Sequence, residues 1–263
     1  MPLLVTDAVV LHAFDYLETS RILRLATREA GIQSVVAKGA RRPRSKFGTA
    51  LDLFAQGSAH IHTRPGRDLQ TLASFDVARS RSELGADLDR FTAASAIAEL
   101  ALRFGGGGGD GGDGDPGESL YDAIVDALDT IAGSAIGVPN DARAAALAGA
   151  WRLIAELGFA PTLDICGTCH DLLPPDEAVT FSHPAGGALC ARCALLRQGA
   201  RTIPPAARDT LRGWLSGETM LLAGDAESRA HQRLLREFVG EHLGDGRELR
   251  AFGVWERERW SEA

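Results

Sequence analysis

Four cysteines stand in a single arrangement: Cys166-Gly-Thr-Cys169, twenty residues, then Cys190-Ala-Arg-Cys193. Two residues between thiols let both sulfurs turn toward one ion, and a second such pair closes a tetrahedron around it. The spacing predicts one structural Zn2+ per chain, held by Cys166, Cys169, Cys190 and Cys193. Four protein ligands leave no position for water, whereas a zinc hydrolase or deaminase needs three ligands, a water and a placed carboxylate. Cys166-Gly-Thr-Cys169-His170 also matches the C-x-x-C-H pattern of haem attachment, but that reading gives the second cysteine pair no role. A redox C-x-x-C belongs in a βαβ context, which the pattern here lacks. His170 and His183 then read as neighbours of the site or surface residues.

A second constellation is electrostatic. Lys38-Gly-Ala-Arg41-Arg42-Pro-Arg44-Ser-Lys46 places five cations in nine residues with no acid, and holds the only two lysines of the chain. Such a run can be a solvated loop. It can also bind phosphates, because clustered cations release counterions from a nucleic-acid backbone. Arg suits that task through its planar, bidentate fork. Phe14, Tyr16, Phe47 and Phe54 lie close by in sequence. They read either as bases' stacking partners, as on single-strand-binding barrels, or as core.

These residues need scaffolds. Residues 1–80 read as five short strands: Val5–Phe14, Arg21–Thr27, Ile32–Ala37, Ala59–Thr63 and Leu69–Phe75. Gly31, Gly39, Gly57 and Pro65-Gly66 punctuate them, which predicts a small barrel or sandwich. Leu69, Thr71, Ala73 and Phe75 are expected on one face of the last strand. From Ser82 the period becomes helical. Leu88, Phe91, Ala94, Ala98, Ala101 and Phe104 make one stripe. Leu120/Tyr121, Ile124/Val125, Leu128 and Ile131 make another. Leu147, Trp151, Ile154 and Leu157 make a third, with Gly158 as the stop. Leu211, Trp214 and Leu215, then Leu234/Leu235, Phe238/Val239 and His242/Leu243, predict two more helices. The cysteine segment, rich in proline and glycine, is expected to have little core of its own and to fold on its metal.

The chain has 263 residues, 45% hydrophobic and 24% charged, enough for a real core. Nine of its 30 glycines fall between Gly105 and Gly117. Three aspartates and no lysine accompany them, so this is no phosphate-cradling loop; it reads as a flexible insertion. The sequence has no run of ~20 apolar residues to span a bilayer, and its start lacks a signal-peptide pattern, so a cytoplasmic place is expected. There is no G-x-x-x-x-G-K-[ST] loop and no nucleophile–base pairing, so no enzyme activity is expected. Taken alone, the net charge of −7 argues against a protein coated in basic surface for nucleic acid. But residues 1–80 hold 11 Lys/Arg against 7 Asp/Glu, leaving 17 against 28 for the remainder. A cationic barrel on an acidic body is the better description.

Against this background the sequence resembles the bacterial RecO family of DNA repair and recombination mediators. The resemblance runs through Thr6-Asp7-Ala8-Val9-Val10-Leu11, Asp15-Tyr16-Leu17-Glu18-Thr19-Ser20-Arg21-Ile22 and Thr27-Arg28-Glu29-Ala30-Gly31. It is most specific at Ala37-Lys38-Gly39-Ala40-Arg41-Arg42-Pro43-Arg44-Ser45-Lys46-Phe47-Gly48, followed by Leu51 and Phe54. The ending Glu241-His242-Leu243-Gly244 with Leu249-Arg250 is similar too. Leu53 replaces a proline often found there, and the glycine tract lengthens a helical-domain loop.

The resemblance implies an α+β multidomain chain. An N-terminal OB-fold barrel (1–80) would bind DNA, and a helical domain (81–160 and 201–250) would carry an inserted zinc module (161–200). A tail (251–263) would follow. It implies binding of single- and double-stranded DNA and annealing of complementary strands. It also implies loading of RecA onto DNA coated by the single-strand-binding protein SSB, with RecR as partner, in the nucleoid-associated cytoplasm. Lys38, Arg41, Arg42, Arg44 and Lys46 are the expected phosphate contacts, with Arg21, Arg24 and Arg28 as weaker candidates. The other class of function compatible with the residues is a zinc-ribbon scaffold that binds proteins and no DNA.

Overall fold

In the computed structural model, residues 2–48, 50–106, 116–138, 140–197, 199–244 and 246–257 are described. Strand β1 (Leu3–Tyr16) is long enough to serve two neighbours. Its first half pairs with β4 (Gln56–His62) and its second half with β2 (Ser20–Thr27), both antiparallel. A bulge between Val10 and His12 bends it where the partners change. β2 continues to β3 (Gly31–Ala37), β3 pairs in parallel with β5 (Leu69–Arg79), and β5 returns to β4. The order β1-β2-β3-β5-β4 closes, so no strand edge is left unpaired. The five strands fall where the alternating segments predict them.

Val10, Leu23, Leu25, Val35, Ile61, Leu72 and Phe75 fill the barrel, and the turn-rich stretch between β3 and β4 adds Phe47 and Leu51. The expected face of β5 is corrected here. The register slips between His60/Ile61 and their partners Ser74 and Leu72, which makes Ala73 an extra residue. Leu72 and Phe75 therefore both turn inward, and Leu69, Thr71 and Ala73 are only half-buried. Gly57 has no space for a side chain, since a Cβ would meet the Asp76 carbonyl.

The helical body begins with a 3-10 turn at Ser82–Leu84 and α1 (Leu88–Phe104), capped by the Asp87 carboxylate on the Arg90 N–H at 2.9 Å. α2 (Pro116–Gly133) and α3 (Asp141–Glu156) follow. Gly149 on α3 sits where a Cβ would lie 2.6 Å from that of Ala127 on α2, so these helices pack closely. The second and third apolar stripes join the core as expected, with Val125 and Leu157 partly buried at its margin, and Gly158 is left-handed (φ 87°) just past the α3 cap. The first stripe is only half right: Leu88 is exposed and Phe91 is at the surface, edge-on to Phe54, while Ala93, Ile97 and Leu100 join the core. Of the glycine tract, Gly105 closes α1 and Pro116 opens α2; residues 107–115 lie outside the described residues.

Next comes the cysteine segment. It contains a three-stranded sheet, order β7-β6-β8, from β6 (Val179–Ser182), β7 (Gly187–Leu189) and β8 (Arg201–Ile203), with a single turn of helix, α4 (Ala191–Ala194). α5 (Pro205–Ser216) and α6 (Asp225–His242) resume the body. Contrary to the expectation of little core, Leu163, Leu173, Val179, Phe181 and Leu189 are buried in the same cluster as the helices. Phe181 meets Phe238 of α6 at 6.1 Å, and Phe238 meets Trp151 of α3 at 5.1 Å. Arg208 of α5, fully buried, donates to the carbonyls of Leu163 (2.9 Å) and Pro174. The segment is thus mounted on the helices through packing and through the buried Arg208.

Residues 251–257, expected as tail, are mostly helical: α7 (Arg250–Arg257) buries Phe252 and Trp255. Glu99 of α1 accepts from the N–H groups of Arg250 (2.8 Å) and Phe252 (2.9 Å), satisfying its first turn. The barrel is fixed to the body by Arg81, whose buried guanidinium donates to Asp129 on α2 (2.5 Å), the Phe54 carbonyl (3.0 Å) and Gln56 (2.6 Å).

Candidate nucleic-acid interface and metal centre

The metal centre follows from two knuckles. In the first, the Cys166 N–H donates to the Asp171 carbonyl (2.8 Å) and the His170 N–H to the Cys166 carbonyl (2.9 Å). His170 takes a left-handed backbone (φ 63°), which folds the chain back so that Cys169 faces Cys166. In the second, Cys190 precedes the turn of α4, and the Ala194 N–H donates to its carbonyl (2.9 Å), which brings Cys193 round to the same side. Arg192 of the second knuckle pairs with Asp171 of the first (3.2 Å).

The four sulfurs lie within 4.8 Å of one another, with Cys169 and Cys190 at 3.7 Å. A tetrahedral ion with Zn–S bonds of ~2.3 Å needs sulfurs about 3.8 Å apart, so the donor set fits. Burial acts to raise the Cys166 thiol, but backbone hydrogen bonds from Cys169, Cys190 and Thr168 outweigh it and bring it to about 6. Hydrogen bonding to Cys190 together with burial pushes Cys193 up to about 12. Four thiolates this close repel, and a dication removes that repulsion. The four cysteines can hold a metal ion and leave no further protein ligand to recruit.

The basic run does not act as one patch. Lys38 and Arg42 line an open groove of 490 Å3 on the barrel, and Gly39 (φ 73°) makes the turn that sets them side by side. Arg41 turns instead to Asp15 (3.4 Å) on the β1–β2 hairpin. Lys46 donates to the Ala73 carbonyl (2.5 Å) on β5. Arg44 is exposed on the loop. Lys38, Arg42 and Arg44 make no ion pair with a described residue.

The same groove is lined by two cations that the sequence reading missed, Arg64 and Arg67. Arg64-Pro65-Gly66-Arg67 has proline second and glycine third (φ 73°), with the Arg67 N–H reaching the Arg64 carbonyl at 3.3 Å, the marks of a type II turn. Gln70 locks it by accepting from the Arg64 N–H (2.7 Å) and donating to the Arg67 carbonyl (2.5 Å). The available signal was the basic Pro-Gly turn itself, between two strands of a barrel. Tyr16, Leu17 and His62 complete the rim.

The weaker candidates divide. Arg28 is tied to Glu118 (2.9 Å) and Asp122 (2.7 Å) of α2 and lies over the Tyr121 ring, so it joins barrel to body. Arg21 pairs with Asp15 (3.4 Å). Arg24 keeps an unpartnered, buried Nε. Among the aromatics, Phe47 and Phe54 are core residues, whereas Phe14 and Tyr16 are exposed. No helix among the described residues is long and apolar enough to cross a membrane.

Comparison with known proteins adds an independent line. Residues 1–81 match the family model described as "Recombination protein O N terminal", and residues 85–250 match "Recombination protein O C terminal". The chain is 36% identical over 245 residues to "DNA repair protein RecO" of Anaeromyxobacter sp. (strain K), covering 90% of both chains. It is 31% identical over 247 residues to the protein of the same name from Rubrobacter xylanophilus, covering 92% of both.

Proposed function

The chain belongs to the RecO family of DNA repair proteins, and on that premise we propose that it is a non-enzymatic DNA-binding mediator of recombination. It binds single- and double-stranded DNA through residues 1–80, anneals complementary strands, and helps load RecA onto SSB-coated DNA with RecR, at the nucleoid. Annealing joins two polyanions, and a cationic surface lowers that barrier by screening, without covalent chemistry. The observation that carries the reading is the groove that Lys38, Arg42, Arg64 and Arg67 line together. Arg41, Arg44 and Lys46 add cations outside it, where a second strand can approach.

The metal is one structural Zn2+ on Cys166, Cys169, Cys190 and Cys193. It joins the two knuckles of the module at 161–200, which packs against the helical parts at 81–160 and 201–250. It takes no part in DNA chemistry, because its four positions are filled by sulfur.

The test is strand annealing with two complementary oligonucleotides, with the Arg41→Glu/Arg42→Glu variant beside the wild type. Acceleration by the wild type and a several-fold loss in the variant support the proposal. Absence of single-strand binding at low salt overturns it and leaves the scaffold reading.

A further inference from the structure

A second cleft lies away from the basic groove, where the barrel meets α1 and α7. It has a volume of 670 Å3. Its floor is apolar (Leu11, Leu53, Phe54, Leu102), and its rim carries Arg103, Arg247, Arg250 and His12. One acid, Glu99, is also present, but both its oxygens accept from backbone N–H groups of α7. Arg103 is held in place by the carbonyls of Arg247 (2.7 Å) and Glu248 (3.0 Å), which fixes its guanidinium at the mouth.

β1 joins this cleft to the groove. Because of the bulge after Val10, Leu11 and His12 both turn outward, and from there the strand alternates regularly. His12, Phe14 and Tyr16 therefore share the outer face, while Ala13 packs inward. His12 lines the cleft and Tyr16 lines the groove, with Phe14 exposed between them. His12 and Phe14 rings are 5.7 Å apart. Arg24 stands opposite His12 in the register, on the same face. Ring carriers two residues apart on a strand repeat at ~7 Å, a spacing that an extended single strand can follow base by base.

We propose that a single DNA strand runs along this face, from the Lys38–Arg67 groove over Tyr16 and Phe14 into the cleft bounded by Arg247 and Arg250. The bases stack on the β1 rings, and the phosphates meet the cations at both ends. This rests on the reading that the barrel binds DNA and extends it to a second basic site on the helical body.

The test is fluorescence anisotropy on oligo(dT) of about 4 to about 16 nucleotides, the range of one barrel site. The wild type is expected to gain affinity beyond the shortest oligonucleotide. The Arg247→Glu/Arg250→Glu variant is expected to lose that gain and to reduce the salt slope by about 1.4 on the longest oligonucleotide only, at ~0.7 per phosphate contact. Phe14→Ala is expected to weaken binding about tenfold at lengths that reach it. Wild-type affinity that levels off at the shortest length overturns the path and leaves groove binding intact. So does equal affinity of the double variant for the longest oligonucleotide, checked against an unchanged unfolding midpoint. No binding at any length overturns the path and the proposed function together.

Discussion

Replacing Arg81 by methionine tests how the barrel is held on the helical body. The side chain is fully buried and serves three acceptors on three elements: Asp129, the Phe54 carbonyl and Gln56. Methionine keeps an unbranched apolar stem of similar length, so little cavity is created and the loss is chiefly polar. Asp129 is partly exposed and keeps Arg79 at 2.6 Å, so its charge stays compensated. The Phe54 carbonyl and the Gln56 oxygen lose their donor inside the protein. At ~1–3 kcal/mol for each orphaned buried group, the variant should be less stable by roughly 3 kcal/mol. That agrees with the ~3–5 kcal/mol for breaking a buried ion pair, at its lower end because Asp129 keeps a partner. With a urea slope of ~3 kcal/mol per molar, the unfolding midpoint should fall by about 1 M. Arg81→Lys should recover only part of the loss, since one ammonium cannot reach three acceptors in a fork. A fall in midpoint corresponding to less than ~1 kcal/mol for Arg81→Met would refute the network as a stabilising link between barrel and body, beside that of Arg28.

Acid should act through His231, which burial holds down to about 4 against an opposing pull from Glu227. The unfolded chain takes up a proton near pH 6.5, so stability should be full above that value and fall by up to ~3 kcal/mol as pH drops toward 4. His231→Leu should flatten the difference between urea midpoints at pH 7.5 and 5. Cys190→Ser should abolish stoichiometric zinc by atomic emission and lower the melting temperature of the chain. Unaltered metal content and melting temperature would contradict the centre. Gly57→Ala should fail to close the barrel, because its Cβ would fall within 3 Å of the Asp76 backbone; circular dichroism of a soluble variant with native strand content would contradict this.

Much of this molecule is legible from local pattern, and what is not depends on through-space geometry. The cysteines could be read because the geometry of a tetrahedral ion is written into short spacings. The strands could be read because alternation and Gly/Pro punctuation are local. The face of β5 could not, since a single extra residue at Ala73 inverts the alternation, and nothing in the residue types marks a bulge. Arg28 looked available to DNA, but its partners Glu118 and Asp122 lie ninety residues away. Arg64 and Arg67 were visible only as a turn; that they line one groove with Lys38 and Arg42 emerges only once the barrel closes. α7 carried a readable signal, Phe252 and Trp255 at helical spacing, in a segment whose terminal place suggested a tail.

The central claim is that the barrel groove binds the phosphates of single-stranded DNA. The direct measurement is the salt dependence of single-strand affinity, for the wild type and for Arg42→Glu/Arg67→Glu. Four groove cations at ~0.7 each predict a wild-type slope of about −3 in log affinity against log salt, and a slope shallower by at least ~1.4 in the variant. A wild-type slope near zero, or one unchanged by the double reversal, would contradict it.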